Sequence, residues 1–258
     1  MLWTELTPDE LMKLDKQHTV VVLPIGCIEK HGAHLPLGTD GLAIEKVAIK
    51  AAEKTGAIVL PTIYYAYVPE NRHLPGTITL SSQTLLKMLE EICDEVYRNG
   101  FKKILLLNGH GGNIRPLRLF LRDMQAKGKK YNLYILTDPW SPIKDVIDRI
   151  KESKVIGHAG EIETSYMMYL YPNLCKIDER VREANLGVEK LVEGVEAMTD
   201  WIGYAIEGYV GDPSKANPEK GRILFDAWVN KVAEIMEKIS KDKLYDEIME
   251  KYYSKIKH

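Results

Sequence analysis

Glu29, His31 and Asp40 lie close together in the stretch Pro24–Asp40, with glycines and a proline between them. A carboxylate, an imidazole and a second carboxylate make a mixed oxygen and nitrogen donor set that suits Zn, Mn or Fe(II). Two carboxylates in one place also suit a pair of ions, as in two-metal hydrolytic sites. Glycine lets the backbone turn tightly enough for such side chains to converge. The plainer reading is a polar loop capping a helix, with His34 and Thr39 as ordinary turn residues. This stretch alone does not separate the two.

Two further segments carry the same chemistry. Asn108-Gly109-His110-Gly111-Gly112-Asn113 follows an apolar run, and Gly157-His158-Ala159-Gly160-Glu161-Ile162-Glu163-Thr164-Ser165 opens a helical pattern. His110 can join the donors of the first loop, and His158, Glu161 and Glu163 can approach from the helix start. Four of the seven histidines fall in these patches, which favours a metal site over isolated turn residues. Rival chemistries fit less well. The turn at 108–113 has neither the GxGxxG spacing nor the Lys-Ser/Thr of a phosphate cradle. Ser81, Ser82 and Ser165 lie outside any G-x-S-x-G elbow, and Ser82 reads as a helix N-cap. Tyr64, Tyr65 and Tyr67 read as core or interface packing in a loop, 62–79, too long to be a simple connector.

The elements that must position these residues follow from periodicity. Apolar runs at Thr19–Leu23, Ala57–Leu60, Lys103–Leu107 and Leu133–Leu136 read as strands. Helical patterns cover Leu6–Leu14, Asp40 to Gly56, Ser82–Asn99, Pro116 to about Gly128, the segment through Leu170, and Glu219 to about Ser240. A charged stretch follows Leu170. The alternation predicts one α/β domain over residues 1–258, a layered, mainly parallel β-sheet flanked by helices. In open sheets of this kind sites gather at the carboxyl ends of the strands, where the polar patches fall.

A formal charge of −2 gives no electrostatic case for nucleic acid or an anionic membrane. No apolar run is long enough to span a bilayer, and the N-terminus has no signal-peptide pattern. Cys27, Cys93 and Cys175 are widely spaced, which fits a cytoplasmic protein and argues against a disulfide framework or a Cys-based zinc site.

The motif Pro-x-Gly-x-x-Glu-x-His-Gly-x-His-Leu-Pro-Leu-x-Thr-Asp (24–40) is followed by His-Leu-Pro-Gly-Thr (73–77), Asn-Gly-His-Gly-Gly-Asn (108–113) and His-Ala-Gly-Glu-x-Glu-Thr-Ser (158–165). Together with Gly211-Asp212-Pro213 they resemble the creatininase (creatinine amidohydrolase) family. The resemblance implies a layered α/β fold, a homohexamer, a small-molecule substrate and two divalent metal ions, zinc first, with manganese or iron(II) as alternatives. It also implies hydrolysis of a C–N bond other than an ordinary peptide bond by a metal-activated water. By position, Glu29, His31, Asp40 and His110 match metal ligands, with Asp40 bridging, and His158 matches a catalytic, proton-shuttling histidine. His73 and Gly111 are the candidates for substrate contact.

One departure stands out. Creatininase itself has a Tyr and a ligating Glu directly after the third-strand His, where this chain has Gly111 and Gly112. The expectation is that Glu161 supplies the missing carboxylate, with Glu163 supporting it or ligating in its place. Residues two apart on a helix point to nearly opposite sides, so only one of the pair enters the site. The missing tyrosine argues against creatinine as substrate. The alternatives are a formylaminopyrimidine-nucleotide deformylase-like or peptide-cleaving relative, or a non-catalytic metal- or small-molecule-binding protein.

Overall fold

The computed structural model describes residues 1–177, 192 and 194–256, so the charged stretch after Leu170 lies partly outside the described residues. A short helix, α1 (Pro8–Met12), precedes strand β1 (Val20–Ile25). The chain then alternates through α2 (Thr39–Thr55), β2 (Ile58–Val59), α3 (Ser82–Arg98), β3 (Lys103–Asn108), α4 (Ile114–Ala126) and β4 (Asn132–Leu136). Among the described residues five α-helices follow: α5 (Lys144–Ile150), α6 (Glu161–Leu170), α7 (Asp200–Tyr204), α8 (Pro218–Lys241) and α9 (Leu244–Tyr253). The sheet order is β2-β1-β3-β4 and every neighbouring pair is parallel.

Parallel neighbours need crossovers, and the crossover helices cover both faces of the sheet. Val20 and Val22 of β1, with Leu105 and Leu107 of β3, pack into the cluster shared with α2, α6 and α8. Val21, Leu23, Ile25, Ile104 and Leu106 pack on the other side with Leu85 and Leu89 of α3 and Phe120 of α4. That double burial is why both strands read as continuous apolar runs. Helix α3 begins at a cap one residue earlier than its sequence suggests: Ser81, not Ser82, accepts the Thr84 N–H through its hydroxyl at 3.2 Å. Strand β2 is shorter than the apolar run at 57–60. Beyond it the chain stays beside β1 irregularly, with Ile63 N–H donating to the Pro24 carbonyl at 2.9 Å.

The register places the site. Ile25 pairs with Asn108, so the loops leaving β1 and β3 start side by side. Gly26 lies against the first turn of α2 so closely that a Cβ there would sit 2.3 Å from the Gly41 backbone. Only glycine permits that approach, and it brings Asp40 beside the end of β1. Among the described residues, no helix is long and apolar enough to cross a membrane.

Leu106 is fully buried at the centre of the sheet, whereas Leu119 on α4 is 55% exposed. Urea denaturation should show Leu106→Ala losing about 2–5 kcal/mol with an unchanged m-value. Leu119→Ala should stay within about 0.5 kcal/mol of the parent.

Candidate metal centre

The three polar patches meet at the carboxyl ends of β1 and β3. Asp40, in the first turn of α2, offers its two oxygens to different imidazoles. His31 Nε2 lies 3.1 Å from Oδ1, and His110 Nδ1 lies 2.8 Å from Oδ2. Glu29 Oε1 is 3.0 Å from the same His110 Nδ1, yet it accepts no hydrogen bond and is buried. That nitrogen's proton goes to Asp40. With the proton removed, one nitrogen and two carboxylate oxygens would point their lone pairs at a common space.

Glu163 enters from the start of α6, with Oε2 at 3.9 Å from His31 Nε2 and 4.0 Å from His158 Nδ1. The His31 and His158 rings lie 4.2 Å apart. Glu29, His31 and Asp40 are each at most 3% exposed. The donors therefore fall into overlapping sets: Glu29, Asp40 and His110; His31, Asp40 and Glu163; and Glu29, His31 and His158. Cys27, set aside by its lack of CxxC spacing, also reaches the first set. Its thiol is 3.2 Å from Asp40 Oδ2. Burial, reinforced by Glu29 and Asp40, holds that thiol protonated and so able to donate.

The structure does not bring Glu161 into the cluster. Its side chain turns away from the cluster and is fully buried against a different set of donors. It accepts from the Ser153 N–H at 2.7 Å, from the Glu152 N–H at 3.0 Å, and from Lys220 Nζ of α8 at 2.5 Å. The two glutamates do diverge, as positions two apart on a helix must, but Glu163 is the one that enters. Ala159, at a left-handed φ of 53°, aims its N–H at Glu163 Oε2, 2.5 Å away. His34 pins the loop to α6 through Thr164 Oγ1 at 2.9 Å. His73 is exposed, its ring bound to the Ile206 carbonyl at 2.8 Å. Gly111 borders open space. Asn71, from the tyrosine-rich loop, was not anticipated: its amide donates to Glu29 Oε2 and accepts from Trp201 Nε1 at 3.3 Å.

The electrostatics are those of a pocket short of positive charge. Burial would lower the His31 imidazole, but Asp40, Glu163 and Glu29 outweigh it and raise it to about 10. His110 is raised in the same way, against its burial, by Glu29 and Asp40. Burial would raise Glu29 and Asp40, yet the facing histidines hold Glu29 at about 2 and Asp40 well below the usual range. Glu163 is the exception, pushed up by burial more than His31 and His158 pull it down. Protons thus occupy the positions where a cation would be favoured. Cation binding must displace them.

Zinc binding at pH 7 should therefore release about two protons, from His31 and His110, and weaken as pH falls. Calorimetry in buffers of different ionisation enthalpy measures both. Glu163→Gln should lower metal content while leaving the fold intact. Glu161→Gln should do the reverse, keeping the metal but costing about 1–3 kcal/mol in denaturation, because the amide leaves some of the Glu152, Ser153 and Lys220 donors without an acceptor while Lys220 keeps Glu152.

Comparison with known proteins bears on the same residues. The family described as "Creatininase: Creatinine amidohydrolase" matches residues 4–236. The creatinine amidohydrolase of Pseudomonas putida is 32% identical over 177 residues, covering 63% of this chain and 68% of the relative. The 3-dehydro-scyllo-inosose hydrolase of Thermotoga maritima is 26% identical over 270 residues, covering 93% and 85%. Among solved structures, a mutant creatininase of the Zn-Zn type superposes with a TM-score of 0.80 at 27% identity, covering 93% of this chain and 98% of that one. The matched span takes in all four motifs together with the sheet that carries them, and the chain belongs to the creatininase family.

Proposed function

We propose that this protein is a metal-dependent hydrolase that cleaves the C–N bond of a small-molecule amide, cyclic amide or formamide with water. The sharing of Asp40 carries the reading, because it joins two of the overlapping donor sets, each able to hold an ion. Glu29 and His110 would hold one and His31 and Glu163 the other, with Asp40 between them. Two divalent ions there, zinc first with manganese or iron(II) as alternatives, would polarise a carbonyl and bring a water's pKa to about 7. The Zn-Zn structural relative supports the pairing. The names of the two sequence relatives share hydrolysis and differ in substrate, and the amidohydrolase among them, with the family, supports a C–N bond.

His158 is placed to move the proton that such a cleavage requires. Its Nε2 lies 2.8 Å from the Lys30 carbonyl, which can only accept, so Nε2 carries the ring proton. Nδ1 is then the basic nitrogen and faces the cluster. It can take a proton from the attacking water and pass it to the leaving nitrogen. The His31 ring on one side and the Trp201 edge, 5.8 Å away, on another restrict the imidazole to that orientation. The open space beside Gly111 gives a substrate room at the end of β3.

A panel of formamides, lactams and short peptides, assayed with metal-stripped and reloaded protein, tests this. Turnover should vanish on chelation and return with zinc or manganese. Bound metal without turnover of any panel member would favour a binding protein. His158→Ala should retain its ions and lower kcat by about 10²–10⁴-fold. Loss of metal from that variant would make His158 a ligand instead. The same reading includes a homohexamer, and the exposed line Leu244, Ile248 and Tyr252 on α9 offers apolar surface for a subunit contact. A monomer by light scattering at micromolar concentration would remove it.

A further inference from the structure

His110 has two ring nitrogens, and its contacts within the cluster use one. Nδ1 faces Asp40 and Glu29, while Nε2 is buried and makes no hydrogen bond. An imidazole that holds an ion through Nδ1 carries its proton on Nε2. Such a proton ordinarily goes to a carboxylate, a carbonyl or a water behind the ring, which orients the ring and raises its basicity.

Glu70 stands behind it. The residue is half-buried in the short 3-10 turn Pro69–Asn71, and its neighbour Asn71 binds Glu29 Oε2, so the turn is fastened to the cluster. Between His110 and Glu70 lies the place where residue 112 would carry a side chain. A Cβ on Gly112 would sit 2.5 Å from His110 Nε2 and 2.8 Å from Glu70 Oε1. The two atoms therefore border the same small space, one that a side chain at residue 112 would block. No left-handed φ demands glycine at 112. The space does.

We propose that Glu70 is the positioning residue of His110. Its carboxylate accepts the Nε2 hydrogen bond, directly or through one water, and so fixes Nδ1 as the ion-facing nitrogen. Gly112 keeps that path open. The proposal rests on the reading of His110 as an ion ligand and adds to it a partner from a loop that carries none of the four motifs' metal donors.

Zinc affinity, measured by chelator competition on metal-stripped protein, tests it with wild type, Glu70→Ala and Glu70→Gln. Glu70→Ala should bind zinc about 10–100-fold more weakly, with an unchanged metal-to-protein ratio at saturation. In zinc-loaded wild type the His110 ring N–H should give a protected proton NMR signal, lost to exchange in Glu70→Ala. Glu70→Gln, which keeps a neutral acceptor of the same size, should fall between, and thermal melting of the metal-free variants checks that the fold is kept. Unchanged affinity in Glu70→Ala would overturn the proposal. A lower saturating ratio would also overturn it, by making Glu70 a ligand. His110→Ala separates the two levels of argument. Wild-type zinc binding there would sink the metal reading itself, whereas impaired His110→Ala beside an unaffected Glu70→Ala would sink the positioning role alone.

Discussion

Asp40 is a buried carboxylate held between two imidazoles, one on each oxygen, and much of the molecule is arranged to make that position tenable. A lone carboxylate in a low-dielectric interior would neutralise or force the chain apart. Here the end of β1, the first turn of α2 and the turn after β3 must all arrive within hydrogen-bond range of one another. The parallel pairing of Ile25 with Asn108 sets two of these, and the Gly26–Gly41 contact sets the third. The two-sided packing of the sheet keeps that register from slipping.

Opposite this cluster on α6 sits a second buried ionic arrangement of a different kind. Glu161 and Lys220 tie the start of α6 to the first turn of α8, with the Glu152 and Ser153 N–H groups completing the carboxylate's partners. A two-residue step along one helix thus separates a carboxylate aimed at the cluster from one that docks the C-terminal helix. The first is exposed to the chemistry of whatever fills the site. The second is satisfied within the protein and has nothing left to offer a ligand.

The sequence made the convergence of Glu29, His31 and Asp40 with His110 legible because glycine-rich turns after apolar strands leave few other uses for such residues. It also made the parallel sheet legible, since only strands covered on both faces are apolar throughout. It could not decide between Glu161 and Glu163. The helix period says that the two diverge, but the direction of each depends on where α6 starts and on Lys220, nearly sixty residues later. Asn71 and Glu70 were missed for a related reason. They sit in an irregular loop without periodicity, and only the absence of a side chain at Gly112 hinted that a group from elsewhere was needed. Helices α5 and α7 escaped because segments of seven and five residues carry little periodic signal, and α9 because it buries none of its residues and so shows no core-facing stripe.

The separation of the donors along the chain has a consequence for how the protein is made. Asp40 and His110 are 70 positions apart, and Glu163 comes later still, after all four strands. During synthesis from the N-terminus, a nascent chain could pair β1 with β3 long before α6 emerges, and until then one of the two sets would lack its carboxylate. An ion held by the full set would stabilise the completed chain by mass action and do little for any earlier intermediate. Apolar burial can therefore assemble the sheet before the set that needs Glu163 is complete, so an ion held there would be captured late.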